Sequence, residues 1–152
     1  RVYRNTDSVG VTLAGAMKNV IAIAAGCAVG LGLGDNAKAA ILTRGLSEIA
    51  RFSLVMGAKS DTVYGLAGAG DLALTCAGPH SRNMAFGMAL GRGEVPSGEL
   101  AEGIHTVASL AHLAALHKID APITKAVDKL VNHGEDLHQI VAGLLARPAH
   151  TE

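Results

Sequence analysis

The chain has 152 residues, enough for one domain with a hydrophobic core, and 49% of them are hydrophobic, which excludes an intrinsically disordered protein. Its 13 basic and 13 acidic side chains balance, so no overall field attracts nucleic acid or an anionic membrane. Cys27 and Cys76 are too few for a disulfide framework, which favours a reducing compartment and a cytoplasmic location.

Hydrophobic periodicity and helix-end residues predict helices along the whole chain. The predicted helices cover, in order, 12–27, 35–56, 61–67, 82–90, 105–117, 122–132 and 135–146, and a glycine-rich turn at 65–70 leads into 71–76. Asp35 and Ser60 are the predicted N-caps of the second and third helices. Arg44, Glu48 and Arg51 recur at helical spacing, which predicts a solvated face. No segment alternates apolar and polar residues as a strand would, so the predicted class is all-α.

The first helix is unusually apolar, because Lys18 is the only charged residue between Asp7 and Asp35. A run of this length could cross a membrane. However, a lysine near the centre of a span costs about 2.5–3.5 kcal/mol on insertion. We therefore predict a helix buried on all sides in a water-soluble bundle, with no membrane span.

Two apolar stretches each carry one isolated charge, and the two charges are of opposite sign. Lys18 has no acidic residue within a turn or two of its helix, and Asp71 is the only charged residue between Val63 and Pro79. A buried, unpaired charge is very costly, so we expect Lys18 and Asp71 to meet in one cleft. The pattern leaves open whether this pair is structural or functional.

Other residues near these charges indicate a ligand site. Gly15 lies one turn before Lys18, where glycine is tolerated if the backbone approaches either a ligand or another helix. Ser81, Arg82 and Asn83 stand at a predicted helix start, where backbone N–H groups, a hydroxyl, a guanidinium and an amide could hold a phosphate. An ordinary serine cap beside a solvated arginine is the alternative.

The sequence gives less support for a metal site, a nucleotide-binding loop or a reactive thiol. The seven His residues lack metal-ligand spacing, so no metal site is expected. The glycines of 30–34 follow a helix and lack the spacing of the dinucleotide fingerprint. Cys76 has no nearby cation in the sequence and is expected to be a structural thiol.

Several motifs keep the order and spacing of one enzyme family. They are GAMKNVIAIAAG at 15–26, GLGLGDNAKAA at 30–40, TRGL at 43–46, GLAGAGDL at 65–72, TC at 75–76, SRN at 81–83, EGIHT at 102–106 and PIT at 122–124. Over about residues 1–145 the chain resembles the C-terminal domain of NAD(P)-dependent glycerol-3-phosphate dehydrogenases. The departures are small: Ala14 replaces the first glycine of the usual pair, and Met17 replaces a common leucine.

The resemblance implies an all-helical, substrate-binding domain of the 6-phosphogluconate-dehydrogenase-like type. The family's N-terminal Rossmann domain, which binds most of the NAD or NADP, is absent from residues 1–152. The full enzyme would interconvert sn-glycerol 3-phosphate and dihydroxyacetone phosphate by hydride transfer. A chain that opens at Arg1, without Met and without that domain, is expected to be an inactive fragment.

The resemblance also implies residue roles. Lys18 would accept the proton of the substrate's C2 hydroxyl, and Asp71 would orient Lys18 and contact the substrate. The implied substrate-binding residues are Lys18, Asn19, Asp71, Thr75, Ser81, Arg82 and Asn83, and the implied cofactor-binding residues are Arg82, Leu100 and Glu102. The implied partners are the two substrates and the chain's own Rossmann domain, with a homodimer left open.

Two alternatives remain at this point. One is a helical interaction or dimerisation domain without an active site, which would not bind a triose phosphate. The other is the all-α domain of another NAD(P)-dependent dehydrogenase, of the 6-phosphogluconate or hydroxyacyl type. The order of the lysine, the aspartate and the Ser-Arg-Asn motif disfavours the second.

Overall fold

A computed structural model describes residues 3–96 and 101–145, and within these ranges the chain is helical, with no β-strand. The helices are α1 (Ser8–Gly30), α2 (Gly34–Val55), α3 (Ser60–Tyr64), α4 (Asp71–Thr75), α5 (Arg82–Gly91), α6 (Glu102–Leu116), α7 (Pro122–Asn132) and α8 (Leu137–Leu145), and a π-helical turn (Leu66–Gly70) precedes α4. The predicted all-α class is confirmed.

The core is built around α1, which is long and apolar enough to cross a membrane by length and composition alone. In the structure α2, α5 and α6 pack around it. Met17, Val20, Ile21 and Ile23 are fully buried, and most of the apolar stretch is covered by other helices. This burial is that of a core helix.

The first helix begins earlier than predicted, because Asp7 caps it. Gly10 N donates to Asp7 Oδ1 at 2.9 Å, and Lys59 N donates to Asp7 Oδ2 at 2.8 Å. The pKa of Asp7 lies below its ordinary value. The hydrogen bond to Gly10 lowers it most, followed by the bond to Lys59 and then by one to Thr62. One carboxylate therefore joins the start of α1 to the residue that precedes α3.

Helices α1 and α5 approach so closely that their backbones touch. A Cβ on Gly26 would collide with the Met84 carbonyl oxygen, and one on Gly87 would collide with the Ile23 carbonyl oxygen. Gly30 and Gly91 form a second contact of the same kind one turn further along. Glycine at these four positions sets the distance between the two helices.

The predicted solvated face of α2 is wrong at Glu48, which is 0% exposed. Its carboxylate accepts hydrogen bonds from Ile123 N at 2.5 Å, Thr124 N at 3.1 Å and Thr124 Oγ1 at 2.8 Å. Burial raises the pKa of Glu48, and these three bonds oppose the rise. Arg51 is also partly covered, and its Nε donates to the Asp120 carbonyl oxygen. Glu48 thus fastens α2 to the start of α7.

Both predicted N-caps are also wrong. Asp35 lies in the first turn of α2 and Ser60 is the first residue of α3, while the cap positions belong to Leu33 and Lys59. Neither cap residue has a side-chain hydrogen bond to the helix. The helix predicted at 61–67 ends at Tyr64, because the glycine-rich stretch that follows winds into the π-helical turn.

Candidate active site

The structure brings Lys18 and Asp71 together, as the sequence predicts. Lys18 Nζ lies 2.5 Å from Asp71 Oδ2, and the two side chains are 23% and 36% exposed. Lys18 is a partly exposed residue of α1, whereas Asp71 is the first residue of α4. Both side chains are therefore partly buried among the described residues and partly accessible.

The π-helical turn delivers Asp71 to this position. A Cβ on Gly68 would collide with the Val63 backbone, so the chain can fold back tightly after α3 only with glycine there. Thr75 follows one turn after Asp71, and its hydroxyl donates to the Asp71 carbonyl oxygen at 2.7 Å. This bond stabilises the single turn of α4 that begins with Asp71.

A second polar cluster lies next to the first, because Asn19 follows Lys18 on α1. Glu102, the first residue of α6, binds Arg82 Nη2 through Oε1 at 2.8 Å. Its Oε2 accepts from Asn19 Nδ2 at 3.4 Å. Asn19, Glu102 and Arg82 are thus linked by hydrogen bonds, and Asn19 is the neighbour of Lys18 in the sequence of α1.

Asn83 explains why α6 begins at Glu102 rather than at the predicted residue 105. Its buried side chain accepts a hydrogen bond from Gly103 N at 2.9 Å and so caps α6 from a neighbouring helix. Gly103 fits against α1, since a Cβ there would stand 3.0 Å from the Asn19 carbonyl oxygen. The start of α6 is therefore pressed onto α1, which puts Glu102 beside Asn19.

Ser81 caps α5 through its Oγ, which accepts from Met84 N at 3.4 Å. Arg82 follows as the first residue of α5 and projects to Glu102. Leu100, a predicted cofactor-binding residue, lies outside the described residues. The remaining predicted site residues all lie on α1, α4, the start of α5 and the start of α6.

Neither cysteine is suited to act as a nucleophile in this site. Burial raises the pKa of Cys76 to about 11 and that of Cys27 to about 12, which disfavours the nucleophilic thiolate. Within residues 3–96 and 101–145, no three His, Cys, Asp or Glu side chains gather as metal ligands would. The functional groups of the described site are therefore an amine, two carboxylates, two amides, two hydroxyls and a guanidinium.

Comparison with known proteins gives the family. The family described as NAD-dependent glycerol-3-phosphate dehydrogenase C-terminus matches residues 7–142. The chain belongs to this family. A glycerol-3-phosphate dehydrogenase (NAD(P)+) of Agrobacterium fabrum is 49% identical to it, over 100% of this chain and 47% of the relative. One of Cereibacter sphaeroides is 48% identical, over 100% of this chain and 50% of the relative.

Solved structures of glycerol-3-phosphate dehydrogenases have the same fold over the matched region. A glycerol-3-phosphate dehydrogenase of Coxiella burnetii matches with a TM-score of 0.91 at 45% identity, over 97% of this chain and 47% of that one. A glycerol-3-phosphate dehydrogenase of Saccharomyces cerevisiae matches with a TM-score of 0.80 at 31% identity, over 90% of this chain and 42% of that one. The chain thus spans about half the length of the relatives it matches, and the resemblance and fold predicted from its motifs are confirmed.

Proposed function

We propose that this chain is the substrate-binding and catalytic-lysine domain of an NAD(P)-dependent glycerol-3-phosphate dehydrogenase, which interconverts sn-glycerol 3-phosphate and dihydroxyacetone phosphate. Membership of the family supports the reaction. The observation that carries the proposal is the Lys18–Asp71 contact of 2.5 Å. Both partners remain partly exposed, so a ligand can reach the amine, which a fully enclosed structural ion pair would not allow.

Lys18 is the proton-transfer group in this proposal. In the reducing direction its ammonium group donates a proton to the carbonyl oxygen at C2 of dihydroxyacetone phosphate. In the oxidising direction the neutral amine takes the proton from the C2 hydroxyl. Asp71 holds Nζ at a fixed position through its hydrogen bond, while Asn19, the next residue on α1, donates to a substrate hydroxyl or carbonyl group.

The start of α5 binds the phosphate group in this proposal. The helix N-terminus favours an anion, and Arg82 supplies charge-assisted hydrogen bonds. Ser81 Oγ accepts a bond from Met84 N, which leaves its own hydrogen free to be donated. Glu102 holds the Arg82 guanidinium in advance, so less side-chain freedom is lost on binding. Asn83 Oδ1 is occupied by Gly103 N, so Asn83 contacts substrate through its amide N–H groups.

NAD or NADP is bound mainly by a preceding dinucleotide-binding domain in this proposal. Arg82 and Glu102, which are about half exposed and are linked to α1 through Asn19, fit one side of such a cofactor by offering a donor and an acceptor to its polar groups. In the described ranges no strand leads into a glycine-rich turn that could hold a pyrophosphate. When bound, the nicotinamide ring supplies or accepts the hydride.

Substitutions in a full-length enzyme that contains this chain test the proposal. Lys18→Ala should lower kcat by roughly 10²–10⁴-fold, because general acid–base catalysis is lost, and should leave the KM for the cofactor nearly unchanged. Lys125→Ala, at an exposed position on α7, is the matched control and should behave as the unsubstituted enzyme. The assay follows oxidation of NADH and NADPH by dihydroxyacetone phosphate. Full turnover in Lys18→Ala would refute the role of the lysine.

A further inference from the structure

Gly15 has no structural reason to be glycine in the described part of the chain. It lies inside α1, and nothing stands within 4 Å of the position that its Cβ would take. The other glycines of α1 differ: Cβ atoms on Gly10, Gly26 and Gly30 would each collide with protein atoms. Glycine inside a helix is less stable than alanine, so an open glycine there lowers stability without improving the packing. Of the two explanations that the sequence allows, contact with another helix of the described residues is therefore excluded.

The open side of Gly15 faces the candidate site. Lys18 and Asn19 follow it by three and four residues, so all three share one face of α1. This face is uncovered only in the first half of the helix: Gly15, Lys18 and Asn19 are partly exposed, whereas α1 is almost entirely buried from Val20 to Ala28. The backbone at Gly15 is thus partly exposed on the same face of α1 that carries Lys18, the partner of Asp71.

We propose that Gly15 is a specificity-determining residue for the substrate. The side chain it lacks leaves the space in which the small phosphorylated substrate lies against α1, with its reacting oxygen at Lys18 Nζ. This inference rests on the proposed function. A methyl group at position 15 would occupy part of that space and lift the substrate away from the amine. Proton transfer requires hydrogen-bond contact between the amine and the substrate oxygen, so a small displacement has a large effect.

The test compares two open helical glycines in the full-length enzyme. Gly143 of α8 is the matched control, because no described residue lies within 4 Å of its Cβ position either, and α8 packs against α7. Gly15→Ala and Gly143→Ala should both keep or raise the midpoint of thermal unfolding. Gly15→Ala alone should lower kcat/KM for dihydroxyacetone phosphate by about 10–200-fold, the effect of one misplaced methyl group in a binding pocket. Gly15→Ser should lower it further.

A binding measurement separates this proposal from its alternatives. Calorimetric titration of cofactor-free enzyme with glycerol 3-phosphate should show weaker binding in Gly15→Ala than in Gly143→Ala. Unchanged binding and unchanged kcat/KM in Gly15→Ala would overturn the inference and leave the proposed function intact. A lower unfolding midpoint with equal losses for substrate and cofactor would also overturn it, because Gly15 would then face the preceding domain. Inactivity of the unsubstituted enzyme towards dihydroxyacetone phosphate would contradict the proposed function itself.

Discussion

At the scale of single residues, carboxylates join segments that are far apart in the sequence. Asp7 binds backbone N–H groups of Gly10 and Lys59, and Glu102 binds side chains on α1 and α5. Asp7 matters to the site because it fixes the start of α1, which carries Lys18, against the residue before α3, which leads to Asp71. Asp7 therefore links the two segments of the chain that lead to Lys18 and to Asp71.

The low pKa of Asp7 predicts an acid-sensitive contribution to the stability of this chain. Because the folded-state pKa lies below the ordinary value of 3.8, the stabilisation is present above that value and is lost as the pH falls through the folded-state pKa. Asp7→Asn keeps a single acceptor oxygen and should lower the free energy of unfolding at neutral pH. The deficit should shrink as the pH falls below about 4. Urea unfolding between pH 3 and 7 measures this.

Asp35→Asn is the control for Asp7→Asn, because the Asp35 side chain is 93% exposed in its pair with Lys38. Its unfolding free energy should stay close to that of the unsubstituted chain. A deficit in Asp7→Asn that is the same at every pH would mean that the charge of Asp7 contributes nothing.

At the scale of whole helices, the contact between α1 and α5 depends on glycine. Gly87→Ala places a methyl group against the Ile23 carbonyl oxygen and within 3.0 Å of Cys27 N, and both are backbone atoms that cannot move aside. We expect a loss of roughly 1–3 kcal/mol in unfolding free energy, as for other overpacked core positions. Chemical denaturation of the variant beside Gly143→Ala, which should lose nothing, measures it. Equal stability of the two variants would contradict the close contact.

The junction between α2 and α7 depends on the hydrogen bonds of the buried Glu48 carboxylate. Ala121, the residue at the start of α7, has no side-chain acceptor, so the carboxylate of Glu48 takes its place. Glu48→Ala leaves three donors buried without a partner and should cost roughly 3–5 kcal/mol of unfolding free energy. Glu94→Ala removes an exposed partner of Arg92 and should lower the unfolding free energy far less than Glu48→Ala does. A small loss for Glu48→Ala in thermal or urea unfolding would show that water replaces the carboxylate.

For the molecule as a whole, the candidate site is a partly exposed surface that no described residue covers completely. Four helices contribute to it, and the side chains of Lys18 and Asp71 are still 23% and 36% exposed. Hydride transfer needs a bound nicotinamide and a site from which water is excluded. The chain also spans about half the length of its dehydrogenase relatives. The arrangement favours a domain that completes its site against another domain.

The isolated 152-residue chain is therefore expected to fold but not to turn over substrate. Far-ultraviolet circular dichroism should show a helical protein with a cooperative thermal transition. Spectrophotometric assays with dihydroxyacetone phosphate and either reduced cofactor should show no activity, while the full-length enzyme in the same assay provides the positive control. Turnover similar to that of the full-length enzyme would mean that these helices hold a complete cofactor site.

The helical class, the family and the meeting of Lys18 with Asp71 could all be predicted from the amino-acid sequence. These follow from patterns within single segments: a helical period without alternation, ordered motifs, and one charge in each of two apolar stretches, where the cost of an unpaired charge demands a partner. The same reasoning failed at Glu48, whose spacing on α2 is that of a solvated residue.

Which polar groups become partners across the fold depends on how the helices pack, and this could not be predicted. Glu48 meets Thr124 from 76 residues away, and Asn83 meets Gly103 from 20 residues away, so neither bond leaves a mark on local spacing. The role of each glycine was decided in the same way. Gly26 and Gly87 are required by a neighbouring backbone, while no described residue lies within 4 Å of the Cβ position of Gly15, because what surrounds a Cβ position depends on the packing of other helices.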